Sequence, residues 1–397
     1  MKYMNKICAD AGTASCPCPL AETGDCLLCS RLAGEDKCDC SWCGLCIYNE
    51  FIQNDKVIRN VRGSHKADVL RKIWYTPELL VLVLGVDKSL ALSATSPGSF
   101  VFLNGAGTTD WCEACSGCVD KEFFSVPVSV MKSDVQKRQL VLALRVISAK
   151  TKRIAEAEDY VFLRGVYRNG LLGGEISGLE SAGMPLACKN SSLEGKNSAF
   201  AREKWLVFTK GIGISPAINL ISGFCGEKDI DMVIDTEKIT ESFVQEALSM
   251  CIGDNDDVNI AFASLADIVA GETGDEKDVN STGNKSTMNL RNRERKFNGE
   301  KHEKDLKSEN LSLFLRIGGR IYDVGSYDKI VILASDYYIA KLAEKFKIPS
   351  DKLIFSNNFR MCCGEGICGA CSHTDANGNT YKMCKCRQAD VKSLICR

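Results

Sequence analysis

The sequence predicts a multidomain β plus α/β protein. It reads as a small antiparallel β-barrel followed by a parallel-sheet nucleotide-binding domain, with Cys-rich metal-binding segments at both ends. Three observations predict it. Short apolar runs succeed one another between residues 78 and 166, strand and helix patterns alternate between 204 and 355, and cysteines gather towards the two ends. The divisions fall at 1–53, 54–175, 200–355 and 356–397.

The first segment carries Cys8, Cys16, Cys18, Cys26, Cys29, Cys38, Cys40, Cys43 and Cys46, with little apolar periodicity to build a core. Metal is therefore expected to do the folding. The close pairs Cys16/Cys18, Cys26/Cys29, Cys38/Cys40 and Cys43/Cys46 suit one or two iron–sulfur clusters or structural zinc, and spacing alone does not choose the ligand sets.

The runs at 78–86, 98–103, 124–131, 139–147 and 159–166 read as strands. No helical period separates them, which is the pattern of a small antiparallel barrel. Between the second and third of these runs, Cys112, Cys115 and Cys118 stand at C-x2-C-x2-C. Three thiolates so spaced suit a [4Fe-4S] cluster completed by the N-terminal segment, a three-thiolate zinc site, or a surface loop of free thiols.

In the α/β region, residues 204–209 form an apolar strand and Lys210-Gly211-Ile212-Gly213-Ile214-Ser215-Pro216 the turn into a helix. Ser215 reads as the N-cap and Pro216 as the first helical residue, leaving helix amides to face a phosphate. Asp235 ends the next strand, where it is placed either to bind a ribose diol, favouring NADH over NADPH, or to cap a helix. Residues 272–310 mix charges with few apolar side chains and read as a disordered insertion.

The C-terminal segment carries the sharpest motif. Cys363, Cys368 and Cys371 stand at C-x4-C-x2-C, the spacing of a plant-type [2Fe-2S] loop, and Cys384 is the nearest fourth thiolate, with Cys386 as its alternate. Gly364, Gly366 and Gly369 let the chain wrap a small cluster. Zinc suits four thiolates too, but zinc ribbons pair two short C-x2-C knuckles, whereas here three cysteines share one glycine-rich turn.

Composition excludes several classes. A formal charge of -1 offers no electrostatic case for nucleic acid or an acidic membrane. No stretch is long and apolar enough to span a bilayer, and no secretory pattern opens the chain. Twenty-two cysteines without such a signal point to thiolates kept reduced in the cytoplasm rather than to disulfides. With three histidines and no acid–base set around them, a hydrolase triad is not expected.

Cys363 to Cys371 with Cys384 closely resemble the cluster loop C-G-x-G-x-C-x-x-C of the electron-transfer subunit of class B dihydroorotate dehydrogenase, a relative of ferredoxin–NADP reductase. Pro97-Gly98-Ser99-Phe100-Val101 resembles that family's P-G-Q-F-V strand. Gly165 to Gly170 resembles its G-P-x-G-x-G turn, and Gly211 to Pro216 its nicotinamide nucleotide loop, with Lys210 in place of the first glycine. The resemblance implies an FAD-binding-type barrel at 54–175, an NAD(P)-binding-type domain at 200–355 and a [2Fe-2S] lobe at 356–397. It further implies an enzyme passing electrons between NAD(P)H, FAD and clusters, working with a catalytic partner subunit or redox acceptor protein. By position in the family pattern, Ser129, Arg145, Thr151, Gly165 and Gly170 contact flavin, and Gly211, Gly213, Ser215, Pro216 and Asp235 the nucleotide. Two departures stand out. Val126 replaces the arginine expected on the flavin phosphates, and Ala334-Ser335-Asp336 replaces a C-G-P strand end. An iron–sulfur relay or zinc-stabilised subunit without flavin and nucleotide chemistry is the alternative.

Overall fold

The computed structural model describes residues 8–40, 42, 44–58, 62–105, 125–174, 202–224, 228–251, 258–271, 314–375 and 378–387. The C-x2-C-x2-C loop at Cys112, Cys115 and Cys118 and the insertion expected at 272–310 lie outside the described residues.

Six antiparallel strands close a barrel: β1 (Ser64–Thr76), β2 (Leu79–Gly85), β3 (Phe100–Gly105), β4 (Val126–Asp134), β5 (Gln139–Arg145) and β6 (Tyr160–Tyr167), in the order β1-β2-β5-β4-β3-β6. Strand β2 shows why its sequence is a continuous apolar run rather than an alternation. Leu80, Leu82 and Leu84 fill the barrel, while Leu79 and Val81 face outward into a second core shared with Trp205 and Ile218. A strand buried on both faces has no polar side to alternate. Five strands match the sequence expectation; β1 was not expected, and it closes the ring by pairing with both β2 and β6. Its sequence is polar because only Ala67 of its thirteen residues is fully buried.

Helix α3 (Lys88–Ser93) follows β2, and α4 (Ala149–Glu156) follows β5 behind a capping box of Ser148 and Thr151. The chain then leaves the barrel through β7 (Leu171–Gly173), which joins the edge of the second sheet.

That sheet holds β8 (Lys204–Lys210), β9 (Asp229–Asp235), β10 (Val258–Phe262), β13 (Lys329–Leu333) and β14 (Leu353–Ser356), all parallel, with β7 antiparallel at the edge. The order β10-β9-β8-β13-β14-β7 reverses direction between β8 and β13. Ligands of open α/β sheets sit outside the strand carboxyl ends at such a reversal. Helices α5 (Ile214–Ser222), α6 (Glu241–Cys251), α7 (Leu265–Ala270) and α8 (Asp336–Lys345) connect the strands, and a hairpin of β11 (Phe314–Ile317) and β12 (Arg320–Asp323) precedes β13. Barrel and sheet share one core through β2, β5 and α5. The Gly98 amide also donates to Asn219 Oδ1 at 3.1 Å.

The N-terminal segment has more packing than its composition predicted. Around α1 (Pro19–Thr23) and α2 (Ile47–Gln53), Ala21, Cys29, Leu32, Ile47, Phe51 and Ile58 form a small core. The segment is joined to the far end of the chain by a backbone β-bridge, not a disulfide, between Cys8 and Cys386, beyond the short hairpin of β15 (Ser372–Thr374) and β16 (Thr380–Lys382).

Candidate functional site

The C-terminal loop gathers Cys363, Cys368, Cys371 and Cys384. The amides of Glu365 and Cys368 donate to Cys363 Sγ at 3.3 and 3.5 Å, and the Cys384 amide to Cys371 Sγ at 3.4 Å. Gly364, Gly366 and Gly369 all adopt positive φ, at +72°, +81° and +73°, and so turn the backbone around the sulfurs. The Cys363 thiol falls to about 4 because Cys384 and the amides of Cys368 and Glu365 outweigh its burial. Cys371 falls to about 7 for the same reason, with Cys384 its main donor. Cys384 is pushed up, since it supplies hydrogen bonds to both and is itself buried. The two lowered thiols are those at which the loop's amides point. Cys386, the alternate fourth sulfur, lies at the backbone β-bridge to Cys8.

One side of the loop rests on aromatic rings. Phe100, Phe102 and Tyr167 of the barrel pack with Met361, while Cys368 and Ile367 are exposed, Ile367 at 64 %. Beneath it lies a buried charge network that the sequence did not reveal. Lys385, with no exposure, donates to Asp10 Oδ2 at 2.5 Å and Glu365 Oε2 at 2.7 Å. Arg62 bonds Asp10 at 2.5 Å and Glu365 at 3.2 Å and stacks on the Tyr167 ring. Arg164 donates to the Cys363 carbonyl at 2.7 Å, and Tyr167 donates to Glu365 at 2.7 Å. Burial pushes the Glu365 carboxyl up, but Lys385 and Arg62 outweigh it and hold it below its ordinary range. No sequence pattern links positions so far apart; only folding shows the set.

The residues expected to contact flavin are placed as follows. Arg145 bonds Glu78 at 2.8 Å, and Thr151 is buried in the cap of α4 with Ser148. The Ser129 carbonyl accepts from Ser215 Oγ at 3.2 Å. Gly170 lies so close to the Gly98 carbonyl that a Cβ would sit 2.4 Å from it, and Gly165 has φ +145° beside Phe100 and Val101. The turn between them is tied to the C-terminal lobe: Asn169 donates to the Met383 carbonyl at 2.6 Å and the Asn357 amide to the Gly170 carbonyl at 2.8 Å.

At the sheet reversal, Gly211 has φ +56° and opens a 3-10 turn that runs into α5. Gly213 is the N-cap, so Ser215 and Pro216 lie inside the first turn, which differs from the expected capping. Ser215 spends its hydroxyl on the barrel instead. Gly213 is needed for close packing, since a Cβ there would stand 2.1 Å from the Leu333 carbonyl. Asp235 is buried and already holds three donors: Lys210 Nζ at 2.5 Å, the Leu265 amide at 2.8 Å and the Glu237 amide at 2.9 Å. Lys210 also pairs with Glu237 and lies over the Tyr338 ring. These side chains do not leave an open ribose site. A diol would reach Asp235 only with Lys210 turned away.

In the N-terminal segment, Cys8, Cys16, Cys18 and Cys26 line one cavity. Cys38 and Cys40 lie 3.8 Å apart, Cys29 is buried nearby and Cys46 is exposed. Cys8 was not among the residues singled out as ligands, because it has no close cysteine neighbour in sequence. Among the described residues, no three His, Cys, Asp or Glu side chains are arranged to hold a single metal ion. No helix among them is long and apolar enough to cross a membrane.

No protein-family model and no curated protein matches the sequence. Solved structures show partial similarity to it. A NADH-dependent reduced ferredoxin–NADP oxidoreductase, described in work on flavin-based electron bifurcation, is 13 % identical over 84 % of this chain and 93 % of its own, with a TM-score of 0.46. The ferredoxin reductase of carbazole 1,9a-dioxygenase is 12 % identical over 77 % of this chain and 73 % of its own, with a TM-score of 0.41. The ferredoxin–NADP+ reductase of Plasmodium falciparum is 12 % identical over 76 % and 97 %, with a TM-score of 0.39. At such identities and scores the architecture stands on this chain's own strand order, a closed six-stranded antiparallel barrel joined to a mixed sheet with helices.

Proposed function

We propose that this protein is an electron-transfer oxidoreductase with a [2Fe-2S] centre on Cys363, Cys368, Cys371 and Cys384. It exchanges electrons between NAD(P)H, FAD and clusters and a partner subunit or acceptor protein, in the manner of the dihydroorotate dehydrogenase electron-transfer subunit. The observation that carries the reading is the loop of four sulfurs with main-chain N–H groups aimed at Cys363 and Cys371. A cluster bound there takes up and releases one electron at a time.

The protein's part is to stabilise charge and shape access. Amides on the sulfurs favour the more negative, reduced state. Phe100, Phe102 and Tyr167 keep water from the inner side, and the exposed rim at Ile367 and Cys368 is where an acceptor approaches. The excess of cysteine fits work in a reducing compartment such as the cytoplasm.

A second reading is an iron–sulfur relay without bound flavin or nucleotide. It is favoured by the engagement of Lys210 with Asp235 and Glu237 and of Arg145 with Glu78. The anaerobic visible spectrum, taken before and after NADH and then NADPH, separates the two. Flavin and cluster bands that bleach establish the reductase and name its donor. Cluster bands without flavin or bleaching leave the relay, and a colourless, zinc-containing protein overturns both.

A further inference from the structure

We propose that Cys8, Cys16, Cys18 and Cys26 hold a second iron–sulfur cluster, seated directly against the C-terminal cysteine loop. The four thiols surround a single cavity of about 20 Å³. Among the described residues no three His, Cys, Asp or Glu side chains are arranged around a single ion, which sets a cluster apart from zinc. Thiolates held about 2.3 Å from a zinc ion leave no room between them for a sphere of about 1.4 Å radius. A cluster interposes its own irons and sulfides, so its thiolates stand further apart than those around a single ion.

The main chain treats these sulfurs as it treats those of the C-terminal loop. The Cys29 amide donates to Cys26 Sγ at 3.3 Å. Burial raises the Cys8, Cys18 and Cys26 thiols, and the amides of Asp10, Leu20 and Leu28, each two residues ahead of its sulfur, act against that rise. Glu365 stands in the same relation to Cys363. Such amides stabilise sulfur that carries negative charge, as a cluster's thiolates do.

The place of the site is fixed by contacts to the other end of the chain. The Cys8 and Cys386 backbones pair in a β-bridge, and the Ala9 amide donates to the Lys385 carbonyl at 2.8 Å. Leu20 of α1 lies under Gly366, where a Cβ would come within 2.8 Å of it. With bridged residues about 5 Å apart and strand residues rising about 3.3 Å each, the Cα atoms of Cys8 and Cys384 lie within about 12 Å. Lys385 follows Cys384 in the chain and acts electrostatically on Cys18 as well, so one buried ammonium serves both sulfur sets. The ligand assignment stands without the C-terminal centre; only the magnetic coupling below depends on it.

The test uses the full chain purified anaerobically. Metal analysis and EPR of the dithionite-reduced protein are expected to show more than two irons per chain and two signals that broaden each other. Cys8→Ser and Cys26→Ser are each expected to remove the second signal and its iron while the C-terminal signal persists, which also reports the fold. Cys46→Ser, at an exposed position, is expected to keep both. Thiol labelling of the unmutated chain gives an independent readout: Cys8, Cys16, Cys18 and Cys26 should resist alkylation until a chelator strips the iron. Zinc in place of that iron, iron unchanged in Cys8→Ser and Cys26→Ser, or protection that survives chelation would overturn the proposal. If the C-terminal centre is the wrong assignment, its own signal is missing while iron dependent on Cys8 and Cys26 remains.

Discussion

A methyl group added at Gly364 would stand 2.5 Å from the Tyr167 ring, at a residue whose φ is +72°. Gly378 shares the positive φ, at +81°, with nothing within 4 Å, so the two positions separate backbone strain from collision. Gly378→Ala is expected to cost about 1 kcal/mol in urea unfolding. Gly364→Ala should cost about 2 kcal/mol more and lower iron retention, because a ring wedged among Phe100, Phe102 and Arg62 has nowhere to go. At the same scale, Cys384→Ser is expected to bleach the C-terminal cluster's absorption and Cys386→Ser to leave it, read from the visible spectrum. The turn that gathers Cys363, Cys368 and Cys371 was legible because its sulfurs and glycines are close in sequence and the geometry is local. Cys8 gave no signal because the next cysteine, Cys16, is eight residues away, and only the folded segment brings Cys8, Cys16, Cys18 and Cys26 to one cavity.

Among the elements, the turn from β8 into α5 shows how one pattern can serve two ends. The glycines of Lys210-Gly211-Ile212-Gly213 read as room for a phosphate, yet Gly213 is required by its approach to the Leu333 carbonyl. Lys210, standing where a glycine was expected, spans β8 and β9 through Asp235. Burial pushes the Asp235 carboxyl up, but Lys210 and the amides of Glu237 and Leu265 outweigh it and set it below its ordinary value. A depressed carboxylate contributes stability that is complete above its unfolded value of about 3.9 and is lost as pH falls through its folded value. Asp235→Ala should therefore cost about 3 kcal/mol at neutral pH, and thermal unfolding of the variant should show a smaller loss of stability below pH about 4 than the parent protein. Strand legibility follows the same logic of burial. Runs such as β2 announce themselves by being apolar on both faces, whereas β1, with its outer face in water and Ala67 as its one fully buried residue, gives almost no signal until β2 and β6 are seen to need a partner.

Across the whole molecule, Asp10 from the N-terminal segment, Arg62 before the barrel, Arg164 in β6, and Glu365 and Lys385 from the C-terminal lobe meet in one buried network. Three cations face two carboxylates, a surplus of positive charge set beneath two groups of sulfur. A buried surplus of this sign is tolerated where anionic sulfur lies beside it, so the network both joins the chain's ends and neutralises the centres proposed there. Lys385→Met keeps the stem's volume and removes the charge, leaving Asp10 and Glu365 to share Arg62 and Arg164. It is expected to cost about 3 to 5 kcal/mol, the range for stripping one partner from a buried pair. The loss should be local before it is global. Limited proteolysis should cut the N-terminal segment first, because its attachment depends on Asp10, Ala9 and Cys8, while the barrel keeps its own closed hydrogen-bonded ring. Pairing the change with Asp10→Asn removes a carboxylate that has already lost one of its two cations, so the two losses should be less than additive, as a double-mutant cycle in urea would measure. Equal proteolysis of segment and barrel, or strict additivity of the two changes, would show that the ends of the chain are not held together by this network.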